Sequence, residues 1–135
     1  MTGGAARIEL TADFVSAAWR KLCINAAGAI SALTMKPAGV LRSEAAGQLA
    51  MDIVAECAAV GRAEGARLDA SVGQQVLDGY RAQPADSINS MLADRIAGRT
   101  LEIDARNGVI VRKGEKHSIP TPLNRMVVAL LQAVE

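Results

Sequence analysis

The sequence predicts a helical fold, all-α once one ambiguous segment is settled, and three observations carry that expectation. Apolar residues return at intervals of three and four along most of the 135-residue chain, the spacing that lines them up on one side of a helix. Hydrophobic residues make up 50% and charged residues 21%, the balance of a globular domain closing one core rather than of a disordered segment. Aromatic residues are only 2%, namely Phe14, Trp19 and Tyr80, so the core must be built from Ala, Leu, Ile, Val and Met, with helices packed closely. One domain fits this length, and a second full domain does not.

Met1 to Ala6 is rich in Gly and Ala and reads as loose, while Arg7 to Leu10 reads as a short strand or the end of a linker. Thr11 is the expected N-cap of a long first helix carrying Trp19, Cys23, Ala26, Ile30 and Leu33 on one face, and Lys36-Pro37-Ala38-Gly39 ends it. Ser43 caps a second helix with the stripe Ala46, Leu49, Ile53, Cys57 and Val60, and Gly65 offers its stop; the two helices are expected to lie adjacent and antiparallel. Ser71 with Gln74 has capping-box spacing and begins a shorter element towards Tyr80, before Gln83-Pro84 breaks the chain. Asp86 or Ser87 is expected to start a helix carrying Ile88, Met91, Leu92 and Ile96 and ending near Gly98. In the last helix Thr121 is the N-cap and Pro122 the first residue, with Leu123, Met126, Val127, Leu130 and Leu131 on one broad side.

Leu101 to Lys113 is the ambiguous segment. Leu101, Ile103 and Ala105, then Val109 and Val111, flank Asn107-Gly108 as a hairpin would. A helix is the rival reading, since a lone two-stranded ribbon is marginal and no neighbouring segment supplies further strands.

Fifteen basic and 14 acidic side chains give a formal charge of +1, too small a field to gather a phosphate backbone, so nucleic acid is not an expected partner. Cys23 and Cys57 lie in apolar surroundings without C-x-x-C spacing and read as buried thiols in a reducing compartment. No apolar run reaches the roughly 20 residues that cross a bilayer, and Met1 to Glu9 lacks a signal-peptide pattern, so the expected location is cytoplasmic with no membrane partner. His117, the only histidine, has no second histidine to share a metal and is expected on a loop surface. Neither G-x-G-x-x-G nor G-x-x-x-x-G-K-[ST] occurs, so no cofactor is expected to bind this chain alone.

Candidate chemistry starts on the first helix. Lys21 and Asn25, four residues apart, stack on a second face, and Gly28 and Ala32 continue that line with almost no bulk. The line is either a groove for a ligand or a seat for another element, with a solvated lysine beside it. Ser90, Asp94, Glu102 and Asp104 add polar groups near the junction of two elements, where a carboxylate could hold the Lys21 ammonium. The plainer reading leaves Ser90 and Asp94 in solvent and Glu102 in a surface ion pair. Arg95, Arg99 and Arg106 could reach an anion but are expected to be solvated.

Several runs point further: Trp19-Arg20-Lys21-Leu22 with Asn25, Glu56 followed by Ala63-Glu64-Gly65, and Ser90-Met91 with Asp94. The densest follow, as Gly98-Arg99-Thr100-Leu101-Glu102-Ile103-Asp104, Asn107-Gly108, and Ile119-Pro120-Thr121-Pro122 with Asn124. From about Leu10 to the C-terminus this pattern resembles the C-terminal domain of the ketopantoate reductase (2-dehydropantoate 2-reductase) family, its motifs specific in combination. The resemblance implies an all-helical domain, hence a helix over Leu101 to Lys113, packed against a Rossmann domain that binds NADP(H), with substrate in the cleft between them. Residues 1–10 would then be a loose segment or interdomain remnant, and residues 11–135 the helical substrate-binding and catalytic domain.

By the same resemblance Lys21 falls at the catalytic lysine, Asn25 at a substrate-contacting amide, Ser90 at the serine that binds the 2-oxo acid, and Glu102 at the substrate-contacting glutamate. The implied partners are a Rossmann-type nucleotide domain in cis or trans, a small 2-oxo acid, and a second copy in a homodimer. Ala29 stands where many members carry another asparagine, which puts one substrate-side hydrogen bond in question. The expected function is the substrate-side half of an NADPH-dependent 2-oxo acid reductase, inactive alone; the alternative is a non-enzymatic helical dimerisation or binding module.

Overall fold

The computed structural model describes the backbone of residues 3–135 and the side chains from Asp13 onward; Met1 and Thr2, expected to be loose, lie outside the described residues. Among the described residues six α-helices follow one another: α1 (Gly3–Thr34), α2 (Glu44–Ala63), α3 (Val72–Ala82), α4 (Ser90–Ala97), α5 (Asn107–Lys116) and α6 (Pro122–Val134), with 3₁₀ turns at Ala38–Arg42 and Ile103–Ala105. No strand occurs among the described residues.

The first helix begins at Gly3, so residues 3–6 are helical rather than loose, Thr11 is not its N-cap and residues 7–10 are not a strand. Ala5, Ala6, Arg7, Glu9 and Leu10 are strong helix formers with no proline among them, and they carry the helix back beyond the threonine. The expected stripe holds: Trp19, Cys23, Ala26 and Ile30 are buried, and Leu33 packs against them. On α2, Ile53, Cys57 and Val60 are buried, with Ala46 and Leu49 at the edge of the same core. The pairing is antiparallel. Trp19 lies against Gly61, where a Cβ would come within 3.0 Å of the indole, and one turn further Cys23 Sγ meets Cys57 Sγ at 3.4 Å. Both thiols are free and fully buried, and the contact with Cys23 together with burial pushes the Cys57 thiol far up.

Ser43 caps α2 by accepting from Ala46 N at 3.2 Å, and Gly65 turns the chain at φ 99° just beyond the helix. The capping box at Ser71 does not form. The Asp69 carboxylate instead accepts from both Ser71 N (2.8 Å) and Ser71 Oγ (2.7 Å), while Ser71 Oγ accepts from Gln75 Nε2 at 2.8 Å. Helix α4 starts at Ser90, later than Asp86 or Ser87, because residues 85–87 dock on another turn: Ala38 N donates to Ser87 O at 2.8 Å and Gly39 N to Ala85 O at 2.9 Å. Met91 and Leu92 are buried as expected, but Ile88 and Ile96 are exposed.

Asn107-Gly108 opens α5 rather than turning a hairpin, and the expected helix does not reach back to Leu101, because Ile103–Ala105 forms only a 3₁₀ turn and Arg106 breaks from helical geometry at ψ -113°. Both residues are buried: Asn107 Nδ2 donates to Asn124 Oδ1 at 3.0 Å, and a Cβ on Gly108 would lie 2.9 Å from Ile103 O. Helix α6 starts at Pro122 as predicted, yet Thr121 supplies no side-chain cap. Glu56 of α2 replaces it, accepting from Leu123 N (3.0 Å), Asn124 N (3.0 Å) and Asn124 Nδ2 (2.9 Å). A carboxylate at a helix N-terminus satisfies orphan N–H groups and complements the helix dipole, and here it also fastens α6 to α2. Val127 and Leu131 are buried, whereas Met126 and Leu130 of the expected stripe are exposed.

Candidate active site

The line of small residues on α1 is a seat, and α3 and α4 occupy it. The Tyr80 hydroxyl donates to Ile24 O at 2.7 Å, Asn89 Nδ2 donates to Gly28 O at 2.9 Å, and the Arg95 guanidinium donates to the carbonyls of Ala32 and Leu33. A Cβ on Gly28 would come within 2.7 Å of the Tyr80 oxygen and 2.8 Å of the Asn89 amide nitrogen, so glycine is what lets both side chains reach the backbone. Ala29 and Ala32 are fully buried in the same packing. The departure at Ala29 therefore sits in the core and not on an open face.

Upstream on that line Lys21 is exposed and Asn25 half-buried, and neither side chain has a hydrogen bond or ion pair among the described residues. Asn89 ties this surface to the next part of the site. Its Oδ1 accepts from Leu92 N at 2.8 Å, capping α4, while its Nδ2 holds Gly28, so Ser90 is fixed at the α1–α4 junction. Arg106, just ahead of α5, reaches across: its Nη1 and Nη2 lie 3.4 and 3.3 Å from Ser90 Oγ, and Nη2 is 4.0 Å from a Glu102 carboxylate oxygen. Glu102 adopts the left-handed conformation, φ 56° and ψ 43°, which costs a non-glycine residue about 1 kcal/mol, and its carboxylate points outward. Burial pushes the Tyr80 hydroxyl up to about 12, opposed by the nearby positive charge of Arg106, so the phenol stays a proton donor to α1.

Ser90 and Glu102 are thus brought together through Arg106. No ion pair joins Lys21 to Glu102 among the described residues. Asp94 pairs with Arg99 at 3.0 Å and Asp104 with Arg112 at 3.6 Å, and neither carboxylate pairs with Lys21 among the described residues. Of the three arginines expected in solvent, only Arg99 is; Arg95 is spent on α1 carbonyls, and the Arg106 side chain is 13% exposed. His117 is not on a free loop either: it ends α5 with Nε2 2.6 Å from Glu64, which Lys113 (3.2 Å) and Lys116 (3.0 Å) also approach. A cavity of about 270 Å³ between α1 and α3, lined by Arg20, Ile24, Val72, Val76 and Tyr80, contains none of Lys21, Asn25, Ser90 or Glu102 and does not define the site.

Residues 13–135 match the family model for the ketopantoate reductase PanE/ApbA C-terminal domain. This chain belongs to that family. It is 56% identical over 126 residues to a 2-dehydropantoate 2-reductase of Caulobacter vibrioides, a match covering 93% of this chain and 43% of the relative. A crystal structure of a PanE/ApbA family ketopantoate reductase from Ralstonia eutropha JMP134 superposes with a TM-score of 0.79 at 39% identity, over 88% of this chain and 40% of that one. A ternary structure of D-mandelate dehydrogenase with NADH and anilino(oxo)acetate superposes with a TM-score of 0.76 at 27% identity, over 86% of this chain and 50% of that one. The chain spans half the length or less of each of these relatives, and what it matches is the C-terminal part of the ketopantoate reductase family.

Proposed function

We propose that this chain is the substrate-binding and proton-donating half of a reductase for small 2-oxo acids. The observation that carries the reading is the meeting of Ser90 and Glu102 at the Arg106 guanidinium, with Lys21 and Asn25 of α1 left without a hydrogen bond or ion pair among the described residues. A polar cluster with unspent donors, in the family's substrate domain, is the arrangement a small oxygen-rich ligand requires.

On this reading the nucleotide is held by a Rossmann-type domain, in cis or in trans, and the chain alone is expected to be inactive. NADP(H) bound there would supply hydride to the carbonyl carbon. This chain's residues do the rest. The Lys21 ammonium stabilises and protonates the oxygen on which negative charge develops, a contribution larger in the transition state than in the bound ketone. Asn25 and Ser90 hold the substrate's polar atoms, and Glu102 orients the substrate hydroxyl or the Lys21 ammonium. The expected setting is the reducing cytoplasm, in keeping with two buried free thiols.

The test compares NADPH oxidation dependent on a 2-oxo acid by the 135-residue chain alone and by the same chain joined to a Rossmann-type nucleotide domain. Activity confined to the joined protein is expected, because positioning donor and acceptor contributes about 7–11 kcal/mol. Robust turnover by the chain alone would overturn the division of labour. A correctly folded joined protein without activity would favour the binding-module reading.

A further inference from the structure

Among the described residues, the surroundings of Arg106 do not account for its charge. Its side chain is withdrawn from water, 13% exposed, yet its nearest acceptors are a single hydroxyl at 3.3 and 3.4 Å and a carboxylate at 4.0 Å that is itself 67% exposed. Guanidinium–carboxylate contacts that neutralise charge are shorter, about 2.7–2.9 Å and often two at once. Other withdrawn arginines are satisfied by fixed backbone acceptors: Arg81 by Leu41 O at 2.9 Å, Arg95 by the carbonyls ending α1. Arg106 has five N–H donors in a planar fork and uses two of them weakly, with no acceptor at Nε among the described residues. A cation removed from water without a close anion is costly, and the cost is recovered when an anion arrives.

Resting on the reductase reading above, we propose that Arg106 binds the carboxylate of the 2-oxo acid and so determines that the substrate is an acid. The carboxylate takes two N–H groups of the guanidinium fork, and the Ser90 hydroxyl turns to donate its proton to one carboxylate oxygen. The incoming negative charge replaces the long contact to Glu102, whose exposed carboxylate is released towards the substrate's carbonyl side. Arg106 thus fixes one end of the substrate while Lys21 acts at the other.

The 135-residue chain itself tests this, by ¹H–¹⁵N spectra of backbone amides and arginine Nε–Hε groups during titration with 2-oxoisovalerate and, separately, its uncharged amide. The acid is expected to shift the Arg106 Nε–Hε signal and the Ser90 and Glu102 amides, and the amide to leave them in place. Arg106→Gln should weaken acid binding about 10- to 100-fold, the loss of a charge-assisted hydrogen-bonded pair. Arg106→Lys keeps the charge without the fork, should fall between, and decides the matter if the glutamine variant does not fold. Equal affinity for acid and amide, or unchanged affinity in both variants, would overturn the assignment of Arg106; shifts persisting at Lys21 and Asn25 would then leave the reductase reading standing. No shift anywhere with the acid would sink both.

Discussion

Glu56→Ala removes the carboxylate that fastens α6 to α2. In the native fold that group accepts three hydrogen bonds of 2.9–3.0 Å, from Leu123 N, Asn124 N and Asn124 Nδ2, and Asn124 is completely buried. Asn124 Nδ2 keeps a second acceptor, Ile53 O at 3.2 Å, so the amide side chain is not wholly orphaned. The two backbone N–H groups are, and each buried donor left unsatisfied costs about 1–3 kcal/mol. Loss of an N-cap costs about 0.5–2 kcal/mol by itself, which sets the lower bound. The expected destabilisation is about 3 kcal/mol, a large part of the roughly 5–15 kcal/mol that stabilises an ordinary domain. Urea unfolding followed by helical circular dichroism measures it. Glu56→Gln should cost less, since one oxygen still accepts. A Glu56→Ala protein within 0.5 kcal/mol of the parent would refute the reasoning and shift the fastening of α6 to its apolar packing and the Asn124 side-chain bonds.

Gly61→Ala would place a methyl 3.0 Å from the Trp19 ring in a contact with no slack, so a loss of about 1–3 kcal/mol is expected in the same assay, and a neutral substitution would mean that α1 and α2 can separate freely. The His117, Lys116 and Lys113 side chains around Glu64 hold its carboxyl down at about 2 from an ordinary 4.5. A lowered value stabilises the fold above the unfolded-state value and loses that contribution as the pH falls towards 2. Thermal midpoints of the parent and Glu64→Gln should therefore differ most above about pH 5 and converge near pH 2, by an amount that salt reduces because the lysines are exposed; a difference independent of pH would contradict the cluster. Met126, Leu130 and Val134 form an exposed apolar row at helical spacing on α6, and association into a homodimer is expected to use it. Sedimentation should show concentration-dependent dimers that Leu130→Lys abolishes, and a single monomeric species at high concentration would remove the expectation.

The long helices were legible because their burial pattern is carried by their own residues. Trp19, Cys23, Ala26 and Ile30, facing Ile53, Cys57 and Val60, announce two packed helices without knowledge of anything else. What the sequence hid depends on partners distant along the chain. Asn107-Gly108 has the local chemistry of a hairpin turn, and only the bond to Asn124 and the close approach to Ile103 explain why it begins a helix instead. Helix α4 starts at Ser90 because Asn89 is held by Gly28, 61 residues away. Glu56 entered only as part of the family pattern, and its bonds to Leu123 and Asn124, 67 and 68 residues away, were not readable from its neighbours. Arg106 was readable as able to reach an anion but not as withdrawn beside Ser90; Lys21 and Asn25 were readable as a polar line, and its continuation at Gly28 and Ala32 as either a groove or a seat, a choice that the bonds from Tyr80 and Asn89 decide.

The central claim, that this domain supplies the acid end of a 2-oxo acid reduction, is tested most directly by single-turnover hydride transfer in the joined protein carrying Lys21→Ala. Loss of a positioned proton donor is expected to slow the chemical step by about 10²–10⁴-fold while the affinity for the 2-oxo acid changes little. A Lys21→Ala protein that transfers hydride at the parent's rate would contradict the account.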